Sequence, residues 1–182
     1  GVARRGVAEA DVRRCVVHAD AEASYVDTFD VDLATISPMV ATPGDPRNGV
    51  ALASLGPAAS RVRIDIAYGG SCTGGKTTDM EMYASVLCGR RVAPGVRLYI
   101  QYGSQAIRRF AEERGYAEVF RAAGAEILDP SCGACINAGP GVSKTAETVT
   151  ISAINRNFPG RSGPGKVYLA SPLVVAASAI QG

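Results

Sequence analysis

From residue 61 onward, stretches rich in β-branched and aromatic residues alternate with stretches of helical apolar spacing, and this alternation constrains the fold more than any other feature of the chain. Residues 61–68 alternate as a strand does, and in 77–88 Met80, Tyr83, Val86 and Leu87 fall on one helical face. A strand at 96–102, helices at 104–114 and 116–123, a strand at 125–128 and further strands at 148–153 and 166–170 follow. A closing helix begins with Ser171 as N-cap and Pro172 at the first helical position. Strands separated by helices of this length predict an α/β domain, a mainly parallel sheet flanked by helices. Glycine-rich loops at 69–75, 133–141 and 160–165 follow or connect these strands. Open α/β sheets bind ligands beyond the carboxyl ends of their strands, so these loops are expected to converge there.

Upstream the signals are weaker. Residues 1–24 are read as a helical or linker segment, and 25–182 as the domain proper. At 25–36 the alternation predicts an extended arm leading into the domain, ended by Ser37-Pro38 and the turn-rich 42–48. A chain of 182 residues suits one domain. Nineteen Lys and Arg against 17 Asp and Glu leave a formal charge of +2, which gives no bulk electrostatic reason to bind nucleic acid or an anionic membrane. No apolar run nears the roughly 18 residues of a transmembrane helix. The first residues also lack a secretory pattern, so the protein is expected to be soluble and cytoplasmic. Its start at Gly1 suggests part of something longer.

Chemistry concentrates in three places. Cys72, Cys132 and Cys135 lie beside glycine turns, three thiolates without a fourth, and an incomplete ligand set leaves one metal position open for chemistry. Cys72 stands between a strand end and a helix start, near Lys76, where positive potential favours a thiolate. The two-residue spacing of Cys132 and Cys135 lets both sulfurs face one metal or cluster, and Gly133 lets the backbone turn close to it. A redox pair and half of a zinc site share that spacing. Gly70 to Thr77 also satisfies the phosphate-cradling pattern GxxxxGK[ST], with Lys76 in the lysine position and Asp129 as a magnesium carboxylate. A nucleotide site leaves Cys132 and Cys135 unexplained. Cys15 and Cys88 are read as bystanders, Cys88 buried at the end of an apolar helix.

The third place is Asn155-Arg156-Asn157-Phe158-Pro159-Gly160-Arg161. Two guanidinium forks across a Pro-Gly turn suit a substrate with two carboxylates, and Asn155 and Asn157 add donors for sulfur or oxygen. General bases are scarce. His18 is the only histidine, in the uninformative first segment, while Asp79 and Glu81 open a helix and are expected to cap it.

Together these residues resemble the aconitase and isopropylmalate isomerase hydro-lyases. Gly70-Ser71-Cys72-Thr73 resembles the first cluster-cysteine motif of that family, Cys132-Gly133-Ala134-Cys135 the second, and 155–161 its substrate-arginine loop. The resemblance implies the family's cluster-binding third domain and a [4Fe-4S] cluster held by Cys72, Cys132 and Cys135, with one iron not ligated by protein. It further implies that Arg156 and Arg161 hold the carboxylates of a small substrate while Asn155 and Asn157 support cluster and ligand. The family reaction removes water from a 2-hydroxy di- or tricarboxylate and can add it back with the hydroxyl moved. Its serine base lies on a swivelling domain or small subunit, and histidine–carboxylate pairs come from earlier domains; these are the partners the resemblance implies, and without them the isolated chain is expected to be inactive. Gly74, Ile154 and Tyr102 depart from the usual family residues.

Overall fold

A computed structural model describes residues 6–59 and 62–182. The described residues up to Ile36 form one unit and Ser37–Gly182 a second. In the first unit, a short exposed helix α1 (Glu9–Cys15) is followed by open chain. The arm expected to be extended at 25–36 pairs with no strand among the described residues. Its apolar side chains, Val26 and Phe29 among them, face outward, and its one ordered turn is a 3-10 turn at Leu33–Thr35 capped by the Asp32 carboxylate. Alternation creates a strand only where a neighbouring strand takes its hydrogen bonds.

The second unit opens with a hairpin, β1 (Met39–Ala41) and β2 (Gly49–Ala51), that the sequence did not announce because three residues are too few to show a period. The turn-rich 42–48 is its connection. A short helix α2 (Gly56–Ala59) follows, and then β3 (Ile66–Gly70). The strand expected at 61–68 therefore begins later, with Arg61 outside the described residues, and it takes in Gly69 and Gly70. A single helical turn α3 (Ser71–Gly74) leads to α4 (Thr77–Leu87), β4 (Arg97–Gln101), α5 (Gln105–Glu113), α6 (Tyr116–Ala123) and β5 (Glu126–Leu128). After a long loop come β6 (Val149–Ser152), β7 (Lys166–Ala170) and α7 (Pro172–Gln181). Capping chemistry sets several of these starts. Ser104 Oγ accepts from Ile107 N at 3.3 Å, Ser171 Oγ from Val174 N at 3.4 Å, and Asp79 Oδ2 from Lys76 N at 2.8 Å.

The sheet runs β2-β1-β7-β6-β3-β4-β5, with β7 through β5 all parallel and the hairpin antiparallel at one edge. The chain steps outward from β3 to β5, then returns to the other side of β3 for β6 and β7. Right-handed crossovers place connections of opposite travel on opposite faces. Accordingly α4, α5 and α6 cover one face, α7 after the last strand packs beside α4 there, and Met80, Tyr83, Leu87, Phe120 and Val175 meet Ala67, Leu98, Ile100 and Ile151. The other face carries Ile66, Tyr68, Tyr99 and Val167 and is covered by loop residues Ala134, Cys135 and Ile154 instead. Strand alternation divides the two sets residue by residue. Cys88, expected to be buried, is exposed, because α4 ends at Leu87 and the chain turns outward there.

Burial raises the hydroxyl pKa of three core tyrosines: Tyr68 is pushed up to about 12, and Tyr83 and Tyr102 move in the same direction. The protonated form is thus favoured in the fold. Their contribution to stability is intact below the ordinary tyrosine value of 10.0 and falls as pH rises above it, that of Tyr68 being lost toward about 12. Urea midpoints measured between neutral pH and the alkaline range are expected to fall above that ordinary value, and Tyr83→Phe to shallow the fall. An unchanged alkaline slope in Tyr83→Phe would remove burial of this hydroxyl as a cause.

Candidate active site

The point where strand order reverses lies between β3 and β6, and open sheets bind ligands in the crevice beyond the strand ends at such a reversal. Here the crevice is pinned by Ser152, whose buried hydroxyl donates to Tyr68 O at 3.0 Å and accepts from Ile154 N at 3.2 Å. All three chemical loops leave this edge. Cys72 follows β3, Cys132 and Cys135 follow β5, and 155–161 follows β6.

Cys72 projects, exposed, from α3. The residue before it, Ser71, has φ of 67°, and Asn137, two residues after Cys135, has φ of 61°. These are the non-glycine residues with left-handed backbone among those described, and both flank the cysteines. Such strain persists where surrounding contacts enforce a particular geometry. Cys132 is exposed and Cys135 buried, the latter within a 3-10 turn at Gly133–Ile136. At Gly133, with φ of 51°, a Cβ would stand 2.5 Å from the Tyr68 hydroxyl and 2.9 Å from Gln101 Nε2. The glycine permits close approach to the sheet rather than to a metal.

Arg161 Nη2 donates to Cys135 Sγ at 3.3 Å, and Cys135 Sγ donates to Asn155 Oδ1 at 3.7 Å. The Arg161 loop is locked to the cysteine loop by Ser162 Oγ, which donates to Ala134 O at 2.7 Å. Arg161 Nε is buried without an acceptor, the kind of orphaned donor that suits a bound anion. Arg156 and Asn155 are exposed at the rim.

The pattern at 70–77 does not form an open phosphate cradle. Ser71–Gly74 closes into a helical turn, Lys76 Nζ donates to Cys72 O at 3.3 Å, and the Asp79 carboxylate already holds the Lys76 amide. Asp129, the expected magnesium carboxylate, is paired with Arg108 at 2.7 Å. Among the described residues, no three His, Cys, Asp or Glu side chains gather closely enough for a single ion. A multi-iron cluster takes its thiolates at separate irons, and soft sulfur donors are the ligand class it requires. The three cysteines fit that group.

The Aconitase family (aconitate hydratase) profile matches residues 3–182. The chain is 42% identical over 168 residues to the 3-isopropylmalate dehydratase large subunit of Mycolicibacterium smegmatis and 41% over 167 residues to that of Sulfurimonas denitrificans; each comparison covers 91% of this chain and 39% of the relative. It is also 40% identical over 174 residues to the mitochondrial homoaconitase of Mycosarcoma maydis, covering 94% of this chain and 23% of that protein. The chain belongs to the aconitase family. It spans about two fifths of the length of the dehydratase relatives.

In this aconitase-family chain the structure brings Cys135, Asn155 and Arg161 into direct contact. Asn157 is engaged through its amide nitrogen. It is buried, and its Nδ2 donates to Thr42 O at 2.8 Å and Val167 O at 3.0 Å, tying the hairpin connection to β7. His18 is exposed in the first unit. Sequence reasoning missed Gln101, Ser152 and Ser162. None lies in a motif, and only the strand endings at Gln101 and Ser152 hinted at a place beside the crevice. Among the described residues no helix is long and apolar enough to cross a membrane.

Proposed function

We propose that the protein is an iron–sulfur hydro-lyase acting on a small 2-hydroxy di- or tricarboxylate such as citrate, isocitrate or isopropylmalate. Residues 25–182 would be its cluster-binding domain, and Cys72, Cys132 and Cys135 would hold a [4Fe-4S] cluster with one iron free of protein ligands. When bound, that group supplies a Lewis acid for the substrate hydroxyl and a neighbouring carboxylate. The observation that carries this reading is the Arg161–Cys135 contact. A guanidinium fork, the group suited to carboxylates, lies against a candidate cluster ligand on the edge where the other cysteine loop also emerges, and this supports the reading.

The chain's own groups bind and orient. Arg161, half-buried and fixed by Cys135 and Ser162, presents a fork whose direction is set before substrate arrives. Arg156 at the rim meets a second carboxylate. A metal-bound sulfur would carry no proton to donate, so Asn155, whose Oδ1 now accepts from Cys135 Sγ, would serve that sulfur as a donor through its Nδ2. Asn157 holds the loop in register. Asp79 caps α4 and Asp129 pairs with Arg108, so the proton acceptor is assigned to another domain or a small subunit. The name "large subunit" carried by the dehydratase relatives supports that division.

The test is anaerobic reconstitution of the complete protein with iron and sulfide analysis. About four irons per chain are expected, with Cys72→Ser holding markedly less. Iron content in Cys72→Ser equal to that of the parent would overturn the assignment.

A further inference from the structure

Gln101 ends β4, the strand between the two cysteine-bearing edges. It lies in register with Gly70 on one side and Leu128 on the other, so the chains leading to Cys72 and to Cys132 leave the sheet at its level. The side chain is 1% exposed, and a buried primary amide is costly unless its polar atoms are used. All are engaged. Oε1 accepts from the Tyr68 hydroxyl at 2.7 Å, while Nε2 donates to Asp129 O at 3.1 Å and to Ser131 Oγ at 2.7 Å. The amide's orientation follows from these partners, since a carbonyl oxygen can only accept. The Tyr68 hydroxyl is therefore the donor that fixes Oε1.

These bonds fall on the residues that set where Cys132 begins. Asp129 is held twice, its carbonyl by Gln101 and its carboxylate by Arg108, and Ser131 immediately precedes the cysteine. Gln101, Cys132 and Gly133 also line a common cavity of about 340 Å³ with Leu128 and Ile136. We infer that Gln101 is a positioning residue for the Cys132 side of the site: its carboxamide, aimed by Tyr68, holds the 129–133 backbone from which the thiol projects. Its importance to the cluster rests on the function proposed above. The holding of the loop does not.

Two variants separate the parts in the complete protein. Gln101→Met keeps volume and removes every polar bond, whereas Gln101→Glu keeps shape but turns an acceptor toward the Asp129 carbonyl. In the metal-free protein, hydrogen exchange of peptides spanning 129–136 is expected to quicken about tenfold in both, with exchange across 72–76 unchanged. In the reconstituted protein, iron release to a chelator is expected to quicken about tenfold and the electron paramagnetic resonance lines of the reduced cluster to shift. Tyr68→Phe is expected to produce the same changes in smaller measure. Unchanged exchange at 129–136, or equal acceleration in both cysteine loops, overturns the inference. A parent protein that holds no iron while the exchange difference persists overturns the proposed cluster and leaves the loop-positioning role standing.

Discussion

Arg161→Lys in the complete protein is expected to lower kcat/KM by about 10²–10³-fold with iron content unchanged. The guanidinium works at two addresses. Nη2 donates to Cys135 Sγ at 3.3 Å, and the buried Nε has no protein acceptor. A planar fork can hold the sulfur contact with one nitrogen and still present others to a carboxylate, whereas an ammonium is a compact charge on a flexible stem. Lysine must therefore choose between them, and under the proposed function the interaction lost is one made with substrate. Steady-state kinetics beside iron analysis checks this. A fall of less than about threefold would sink the placement of Arg161 on substrate, and a parallel loss of iron would recast its role as cluster support.

Gly70→Ala is expected to destabilise the fold by about 4 kcal/mol, from roughly 1–3 of backbone strain and roughly 1–3 of steric displacement. Gly70 has φ of 122° and ψ of −138°, a region reserved in practice for glycine. A Cβ there would overlap the Gln101 carbonyl oxygen and lie 2.7 Å from its carbonyl carbon, and neither can move without breaking the β3–β4 ladder. A drop of about 1–2 M in the urea midpoint is the expected reading. An unchanged midpoint would mean that the turn into Cys72 has room the structure denies it.

The long elements were legible because each carries enough residues to show a period. The helices 77–87, 105–113 and 116–123 and the five parallel strands stand within about five residues of their expected bounds, with Ser171 capping as expected and Ser104 found to cap the second of those helices. What escaped was short or borrowed its stability from elsewhere. The β1–β2 hairpin has three residues per strand, and α3 is a single turn held between two glycines. The arm at 25–36 has the alternation but no neighbouring strand among the described residues. Cys88 stayed exposed because a helix period says which face is inward only up to the residue where the helix stops.

The candidate site divides in the same way. Cys72, Cys132, Cys135 and the 155–161 loop were visible because glycine and proline punctuation set them apart from the strand and helix patterns on either side. Sequence by itself determined the residue types on offer, three cysteines and an arginine-bearing loop, and the order of strand and helix that carries them. Only the tertiary structure decided the geometry. Reversal of strand order beside β3 brings residues 72, 135 and 161 to one edge, and the Nδ2 of Asn157 braces the hairpin connection against β7. It also set Gln101 beneath the Cys132 loop and Ser162 against Ala134. The physical reason is range. Ligand type and helical period are properties of neighbours in sequence, whereas a hydrogen bond between residues 28 or 30 positions apart exists only after the sheet has chosen its order.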